Sequence, residues 1–125
     1  MCIVNPVKIP EESKKSGFGY KVFEERDGKL YSPITRTKMS RTKWNTAERP
    51  ICIEEKDFGF HIFFTNMCAY IYKDLVDFLI MDGRKTLVKK VEYKKATVTG
   101  ITTTVCGSLP TVVAKKMRIC KEEEE

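Results

Sequence analysis

The fold of this chain is decided by residues 58–93, which read FGFHIFF (58–64), TNMCAYIYKDLVDFLIMDG (65–83) and RKTLVKKVEY (84–93). The first and third segments are rich in the aromatic and β-branched residues that favour strands. The second has the longer apolar period that is typical of a helix. Together they have the length of a strand–helix–strand unit, about 30 residues. The remaining elements must pack around this block.

The first strand of the block is predicted to be central and covered on both faces. Its two faces, given by the two-residue period of a strand, consist of Phe60, Ile62 and Phe64 on one side and of His61, Phe63 and Thr65 on the other. Because both faces carry large apolar side chains, neither should lie open to water.

A single principal helix is predicted over about residues 67–81, with Thr65 or Asn66 as its cap and Gly83 at its end. Its apolar stripe, which should pack on the sheet, consists of Cys68, Ile71, Tyr72, Leu75, Phe78 and Leu79. The side predicted to face water carries Tyr70, Lys73, Asp74 and Asp77.

Further strands are predicted on both sides of this block. Residues 17–25 and 29–35 should form a hairpin, because Gly28 supplies the positive φ of a short turn. A short strand is expected around Ile51 and Ile53. Residues 87–98 form either one strand or two strands joined by a bend at Lys94 and Lys95. Residues 100–107 should be extended, 107–110 should form a turn, and 111–120 should form the last strand.

These elements predict an α+β fold, with a mixed, mainly antiparallel sheet of about six strands and one principal helix packed on it. Residues 1–16 should form an irregular arm, 17–120 a single domain, and 121–125 an acidic disordered tail.

The charge of the chain predicts an anionic partner or a solubilising surface. The chain carries a formal net charge of +6, and leaving out the four glutamates at 122–125 raises this to +10 for residues 1–121. Such a basic body attracts nucleic acid, nucleotides or acidic protein surfaces. The five cysteines form no CxxC motif, which indicates reduced thiols and no zinc site. No signal peptide and no membrane span is predicted, so we expect a cytoplasmic protein.

Residues 36–50, RTKMSRTKWNTAERP, are the most unusual stretch by composition. Cations interleaved with an aromatic side chain suit a phosphate-bearing ligand whose base stacks on an indole. The predicted ligand-binding residues are Arg36, Lys38, Arg41, Lys43 and Trp44, together with His61, the only histidine. The alternative is that Trp44 packs into the core, that the cations are a solvated surface and that His61 is a hydrogen-bonded sheet residue.

The chain resembles a group of small uncharacterised proteins that are common in bacteriophages and prophages. The likeness covers about residues 17–120 and is carried by GYKVF (19–23), DGKLYSP (27–33), KW (43–44), FGFHIFFTNMCAY (58–70), LVKKVEY (87–93) and VAKKMRI (113–119). Because these motifs mark structure and not chemistry, the resemblance implies an origin in a phage or mobile element and implies no catalytic residue. A phage-encoded protein would work in the cytoplasm of its host.

The order of GYKVF, GFHIFFTNMCAY and VEY is also similar to small ADP-ribosyltransferase-type domains. That resemblance implies NAD as a cofactor, with Tyr20 or His61 at the ribose and Glu92 polarising a ribose hydroxyl. Tyr70 or Tyr72 would then stack on nicotinamide.

Three hypotheses for the function follow. The first is a small basic non-enzymatic binding protein of phage or mobile-element origin, which captures a nucleotide-like ligand, a nucleic acid or an acidic host protein and could counter host defence. It uses no cofactor, no metal and no membrane. The second is the transferase or a degenerate nucleotide-binding relative of it. The third is a structural or oligomeric accessory protein.

Overall fold

A computed structural model describes residues 3–8, 16–32, 37–47, 59–80, 84–104 and 107–121. The described part contains eight strands and one helix, which in chain order are β1 Ile3–Lys8, β2 Gly17–Arg26, β3 Lys29–Tyr31, β4 Lys38–Met39, β5 Asn45–Thr46, β6 Phe60–Phe63, α1 Asn66–Ile80, β7 Lys85–Thr104 and β8 Gly107–Ile119. The α+β class is therefore confirmed, with eight strands in place of about six. All the strand pairings of the described residues are antiparallel.

Four strands of the sheet close into a ring. β7 pairs with β2 along one edge and with β8 along the other, and β8 in turn pairs with β6. The circuit is completed where Tyr20 of β2 pairs with Phe63 of β6. Since β6 and β7 both run antiparallel to β8, they point in the same direction, as the two strands of the predicted strand–helix–strand unit should. β8 lies between them.

The inside of the ring is the main core. Its buried residues are Phe23, Leu30, Met39, Phe60, Ile62, Val91, Tyr93, Ala96, Val112, Ala114, Met117 and Ile119. The burial of Phe60, Ile62 and Phe63 confirms that β6 is covered on both faces. Phe64, which was assigned to the same face as Ile62, lies beyond the end of β6 and is 43% exposed, so that part of the prediction was wrong.

β7 is a single strand of 20 residues with an irregularity at the predicted bend. Its pairing with β8 shifts register between Ala96 and Val98, and Lys95 has a φ of 57°. Val91, Tyr93 and Ala96 are buried in the main core, whereas Val98 packs on Val113 of β8 in a separate cluster. The irregularity therefore changes which residues of β7 face the main core.

The helix begins as predicted. The Thr65 hydroxyl accepts a hydrogen bond from the Cys68 amide at 3.2 Å, so Thr65 caps the first turn. Ala69, Leu75 and Val76 of α1 are buried. A smaller core cluster joins Ala69 to Phe63 of β6 and Leu109 of β8.

The far end of the predicted apolar stripe was wrong. Phe78 and Leu79 are 69% and 61% exposed, whereas Val76, which was not assigned to the stripe, is buried. Asp77, predicted to face water, contacts the Thr86 hydroxyl of β7 and the Lys73 ammonium. The last turn of α1 is thus rotated so that its 76–77 side meets the sheet.

Three predictions outside the ring were corrected or lie beyond the described residues. Ile3–Lys8 forms a strand that pairs with β7, so this part of the arm is not irregular. Residues 107–110 belong to β8 and not to a turn. Ile51, Ile53, Gly83 and residues 122–125 lie outside the described ranges. The hairpin between β2 and β3 is confirmed, with φ values of 51° at Asp27 and 76° at Gly28.

Candidate functional site

Of the cations in the predicted basic stretch, Arg41 is paired within the protein. Arg41 is turned toward the β2–β3 hairpin: its Nε donates to the Gly28 carbonyl oxygen at 3.0 Å, and its Nη2 lies 3.6 Å from a Glu25 carboxylate oxygen. Lys38 and Lys43 are exposed. Arg36 lies outside the described residues. Arg41 is therefore already paired with a carboxylate of the protein itself.

Trp44 is placed by a compact turn that ends on β8. The Ser40 amide donates to the Asn45 side-chain oxygen at 2.8 Å, and the Lys43 amide donates to the Ser40 hydroxyl at 3.0 Å. Asn45 then pairs with Met117 of β8 and also donates its side-chain amide to the Met117 carbonyl oxygen. These bonds hold the residue before Asn45, the tryptophan, against the outer side of β8.

The indole of Trp44 contacts two cations there. The Lys94 Nζ lies 4.0 Å from the ring centre, and the Arg118 guanidinium carbon lies 4.9 Å from it. Trp44 is half-buried. Its ring therefore contacts two cations of β7 and β8, neither of which belongs to the predicted basic stretch.

The cations around Trp44 belong to a larger surface on the outside of the ring. Because Val91, Tyr93, Met117 and Ile119 point into the core, the residues that alternate with them point outward, namely Lys90, Glu92 and Lys94 of β7 and Lys116 and Arg118 of β8. We call this surface the cationic face; it consists of Phe18, Trp44, Lys90, Glu92, Lys94, Lys116 and Arg118.

The strand register arranges the cationic face in rows. Phe18 pairs with Glu92, and Glu92 pairs with Arg118, so one row crosses β2, β7 and β8 and ends at Trp44. Lys94 pairs with Lys116 in the next row along the strands. A row therefore presents side chains from three neighbouring strands at the spacing of the sheet.

Four cations and one carboxylate give this face its electrostatics. Arg118 Nη2 lies 2.5 Å from a Glu92 carboxylate oxygen, in a pair that is about one third to one half exposed. The Lys90 Nζ lies 5.2 Å from the ring centre of Phe18, which is 59% exposed. A cation–π contact does not neutralise its cation. The face thus keeps a net positive charge beside an accessible aromatic ring.

Cys120 borders the same face, and its surroundings disfavour the reactive thiolate. Burial raises the pKa of its thiol, and the nearby Lys90 and Arg118 charges lower it by less. The thiol is therefore protonated near neutral pH, and only a thiolate attacks or binds a metal strongly.

Comparisons with protein-family models, with curated proteins and with solved structures found no match to this chain. The function is therefore inferred from the geometry of the described residues. Within the ranges that the structure describes, no helix is long and apolar enough to span a membrane. Over the same ranges, no three His, Cys, Asp or Glu side chains lie together in a way that could hold a metal ion.

His61 lies apart from Trp44. It pairs with Val113 of β8, five residues before Arg118, which corresponds to about 16 Å along a strand. Its backbone carbonyl oxygen accepts a hydrogen bond from Lys21 Nζ at 3.2 Å. The structure thus brings together Trp44 and two cations that the sequence interpretation missed, and leaves Arg41 and His61 elsewhere.

The residues of the transferase alternative are partly adjacent. Tyr20 pairs with Lys90, so it lies one row from Glu92 on the same outer side of the sheet. Tyr72 packs on Phe63 with ring centres 5.1 Å apart, and burial raises the pKa of its phenol. Tyr70 is 49% exposed.

The missed residues had only a weak local signal. Lys90, Lys94 and Lys116 each belong to a pair of adjacent lysines (89–90, 94–95 and 115–116), so the cations do not follow the two-residue period of a strand. The sequence also does not predict which side chains of β7 and β8 become neighbours, because this depends on their register.

Proposed function

We propose that this chain is a non-enzymatic binding protein that captures a phosphate-bearing partner on the cationic face. The observation that carries the proposal is the cluster of Lys94 and Arg118 around Trp44, because it keeps two cations ordered on an open sheet surface while leaving the charge of Lys94 available. Arg and Lys side chains supply the main attraction to phosphate groups. The resemblance to phage proteins supports a role in an infected cell, where the partner would be a nucleotide, a nucleic acid or an acidic component of the host.

Four other cations of the described residues support this choice by contrast. Arg41 and Lys85 both lie within salt-bridge distance of Glu25, and Arg26 and Arg84 both flank the buried carboxylate of Glu24. In such pairs the charge of the cation is offset by a carboxylate of the protein itself. The cationic face instead assembles four cations around one carboxylate, so its field is directed at an external anion.

The test is the dependence of binding on salt and on individual lysines. Fluorescence anisotropy with a labelled oligonucleotide should show affinity that falls as salt rises, because phosphate contacts release counterions. Lys94→Ala and Lys116→Ala should each weaken binding and flatten that dependence. Lys85→Ala is the matched control, since it removes the same charge from β7 at a site that is 70% exposed and points to the opposite side. Equal losses in all three variants would contradict the proposal, as would binding that salt does not change.

The second candidate is the ADP-ribosyltransferase-type activity with NAD, which is favoured by Tyr20 and Glu92 lying in neighbouring rows. It predicts that the protein releases nicotinamide from NAD and that Glu92→Gln abolishes the release. The binding proposal predicts the opposite response to the same substitution: removing the carboxylate frees Arg118 and raises affinity for an anion. Nicotinamide release that survives in Glu92→Gln, or no release at all, would exclude this transferase mechanism.

A further inference from the structure

We propose that the partner of the cationic face is a single-stranded nucleic acid, with one base stacked on Phe18 and backbone phosphates bound by Lys94, Lys116 and Arg118. This inference rests on the proposed function and names its ligand. It starts from Phe18, because its ring is 59% exposed, lies in one row with Glu92 and Arg118, and so presents an aromatic face among the cations. Base stacking on such a ring is tolerant of sequence and needs a base with an open face.

The dimensions of the face require more than a mononucleotide. Phe18 and Arg118 lie two strand spacings apart in one row, which is about 10 Å. A strand stacked as in B-form DNA rises about 3.4 Å per nucleotide, so this distance corresponds to about three nucleotides. The row of Lys94 and Lys116 lies two residues farther along the strands, about 7 Å away. A short oligonucleotide can reach both rows at once.

A duplex does not fit this arrangement. The face extends over β2, β7 and β8 to Trp44 beside β5, about 14 Å between the outer backbones. The major groove of B-form DNA is about 12 Å wide and admits a helix or a two-stranded ribbon. In addition, the bases of a duplex are already stacked on each other, so none has a face free for Phe18. The cations alone would bind duplex phosphates without using the aromatic ring.

The charge of Glu92 favours a base, and not a phosphate, at its position in the row. It lies between Phe18 and Arg118 in the row, and its carboxylate repels a phosphate at that position. A carboxylate accepts hydrogen bonds from the exocyclic amino groups of bases. The backbone of the strand should therefore pass over the lysine row, while a base lies over the row that contains Phe18 and Glu92.

The experiment compares four anions and three variants. Wild-type protein is titrated with a labelled single strand of about twelve nucleotides, with the duplex of the same sequence, with inorganic polyphosphate and with polyglutamate, by anisotropy at several salt concentrations. Phe18→Leu removes the ring and keeps an apolar side chain, Phe18→Trp restores a ring, and Lys94→Ala removes a cation.

We expect the single strand to bind at least about tenfold more tightly than the duplex and the polyphosphate. Phe18→Leu should weaken single-strand binding by about 5- to 100-fold with an unchanged salt slope, and Phe18→Trp should restore it. Lys94→Ala should reduce the slope of log K against log salt by about 0.7.

The possible outcomes distinguish binding of a single strand from the more general capture of a phosphate-bearing partner. If duplex or polyphosphate binds as tightly as the single strand and Phe18→Leu binds like wild type, the inference is overturned while phosphate capture stands. If polyglutamate binds as tightly as the single strand, an acidic protein is the better partner and the inference is also overturned. If none of the three phosphate-bearing anions binds, both the inference and the proposed function fail.

Discussion

Lys21 places an amine at the point where β2 and β6 begin to separate. The two strands pair at Tyr20 and Phe63, and the Lys21 Nζ then donates to the His61 carbonyl oxygen at 3.2 Å. The side chain thus supplies the donor that a backbone amide would supply in a continued ladder. Burial lowers the pKa of this amine from 10.5 to about 8, because the charged form is poorly solvated there.

The pKa of Lys21 predicts a rise in stability at alkaline pH. An amine with a folded-state pKa of about 8 and an ordinary value of 10.5 binds its proton more tightly in the unfolded chain, so the free energy of unfolding should increase between these two pH values. Below pH 8 the folded protein carries the full penalty, with an upper bound of about 3 kcal/mol.

Lys21→Met tests this prediction by urea unfolding at a series of pH values. The variant should be more stable than wild type at pH 7, by about 1–2 kcal/mol, because an apolar side chain of similar length replaces a desolvated charge. The difference should shrink as the pH approaches 10.5. Parallel stability curves for the two proteins would contradict the assignment, since other titrating groups are common to both.

The bulge of β7 places Lys95 in an unfavourable backbone conformation. Its φ of 57° lies in the left-handed region, which costs a side chain with a Cβ about 1–2 kcal/mol. We predict that Lys95→Gly leaves stability unchanged or raises it by up to about 1 kcal/mol, whereas Lys95→Val lowers it by about 1–2 kcal/mol. Thermal unfolding of the two variants gives the comparison. A valine variant as stable as the glycine variant would show that the backbone is not held in this conformation.

At the scale of elements, α1 has one side on the sheet and one side in water. Leu75 and Val76 are buried between the helix and the strands, while Met67, Phe78 and Leu79 are exposed. The exposed apolar residues also support the hypothesis of an accessory protein that makes contacts with other chains, because large apolar groups outside a core are common at interfaces. Stability and interaction should therefore depend on different sides of the same helix.

Two substitutions on α1 separate these sides. Leu75→Ala should lower the free energy of unfolding by about 2–5 kcal/mol, as for other buried leucines. Phe78→Ser, on the exposed side, should change it by less than about 1 kcal/mol, because little apolar surface is buried there. Urea unfolding measures both. A large loss in Phe78→Ser at low protein concentration would mean that this ring is buried in solution, and a loss that appears only at high concentration would indicate self-association.

Elements with a local period could be predicted from the sequence, and contacts between distant segments could not. The cap at Thr65, the body of α1, β6 and the β2–β3 hairpin each follow from a few neighbouring residues. The burial of Phe78 was predicted wrongly because a helical stripe does not reveal where the sheet beneath it ends. β4 and β5, of two residues each, are defined almost entirely by their partners.

The same reasoning applies to the candidate site. Trp44 stood out by composition, and its neighbours in sequence, Arg41 and Lys43, were assigned with it. Its cationic neighbours in space are Lys94 and Arg118, which lie 50 and 74 positions farther along the chain. The lysines of β7 and β8 were visible in the sequence, but the register that brings the two strands and Trp44 together was not.

For the whole molecule, closure of the ring depends on one tight approach. A Cβ at Gly19 would lie 2.5 Å from Ile62 Cγ2 and 2.7 Å from the Phe63 carbonyl oxygen, at the point where β2 meets β6. No side chain fits there without moving the backbone of β6. Gly19 is therefore the residue that allows the ring to close.

Gly19→Ala should destabilise the protein more than an alanine on an open strand would. Overpacking against backbone costs about 1–3 kcal/mol or more, and here it acts on the only described pairing between β2 and β6. Hydrogen exchange should show faster exchange of β6 amides than of β7 amides paired with β8. Gly28→Ala, at a φ of 76° with open space around it, is the control for a purely local backbone effect. Equal exchange profiles in the two variants would argue against a closed ring.

The ring also constrains when the chain can fold during its synthesis. β2 is made early, but its long partner β7 follows some 60 residues later, and β6 gains its second neighbour only when β8, the last described strand, is complete. Until then β6 has only its single pairing with β2, and Phe60 and Ile62 lack their partners on β8. A ribosome-bound chain should consequently expose these apolar side chains until β8 has been synthesised, which makes chaperone binding and rapid translation through β8 determinants of its yield in the cell.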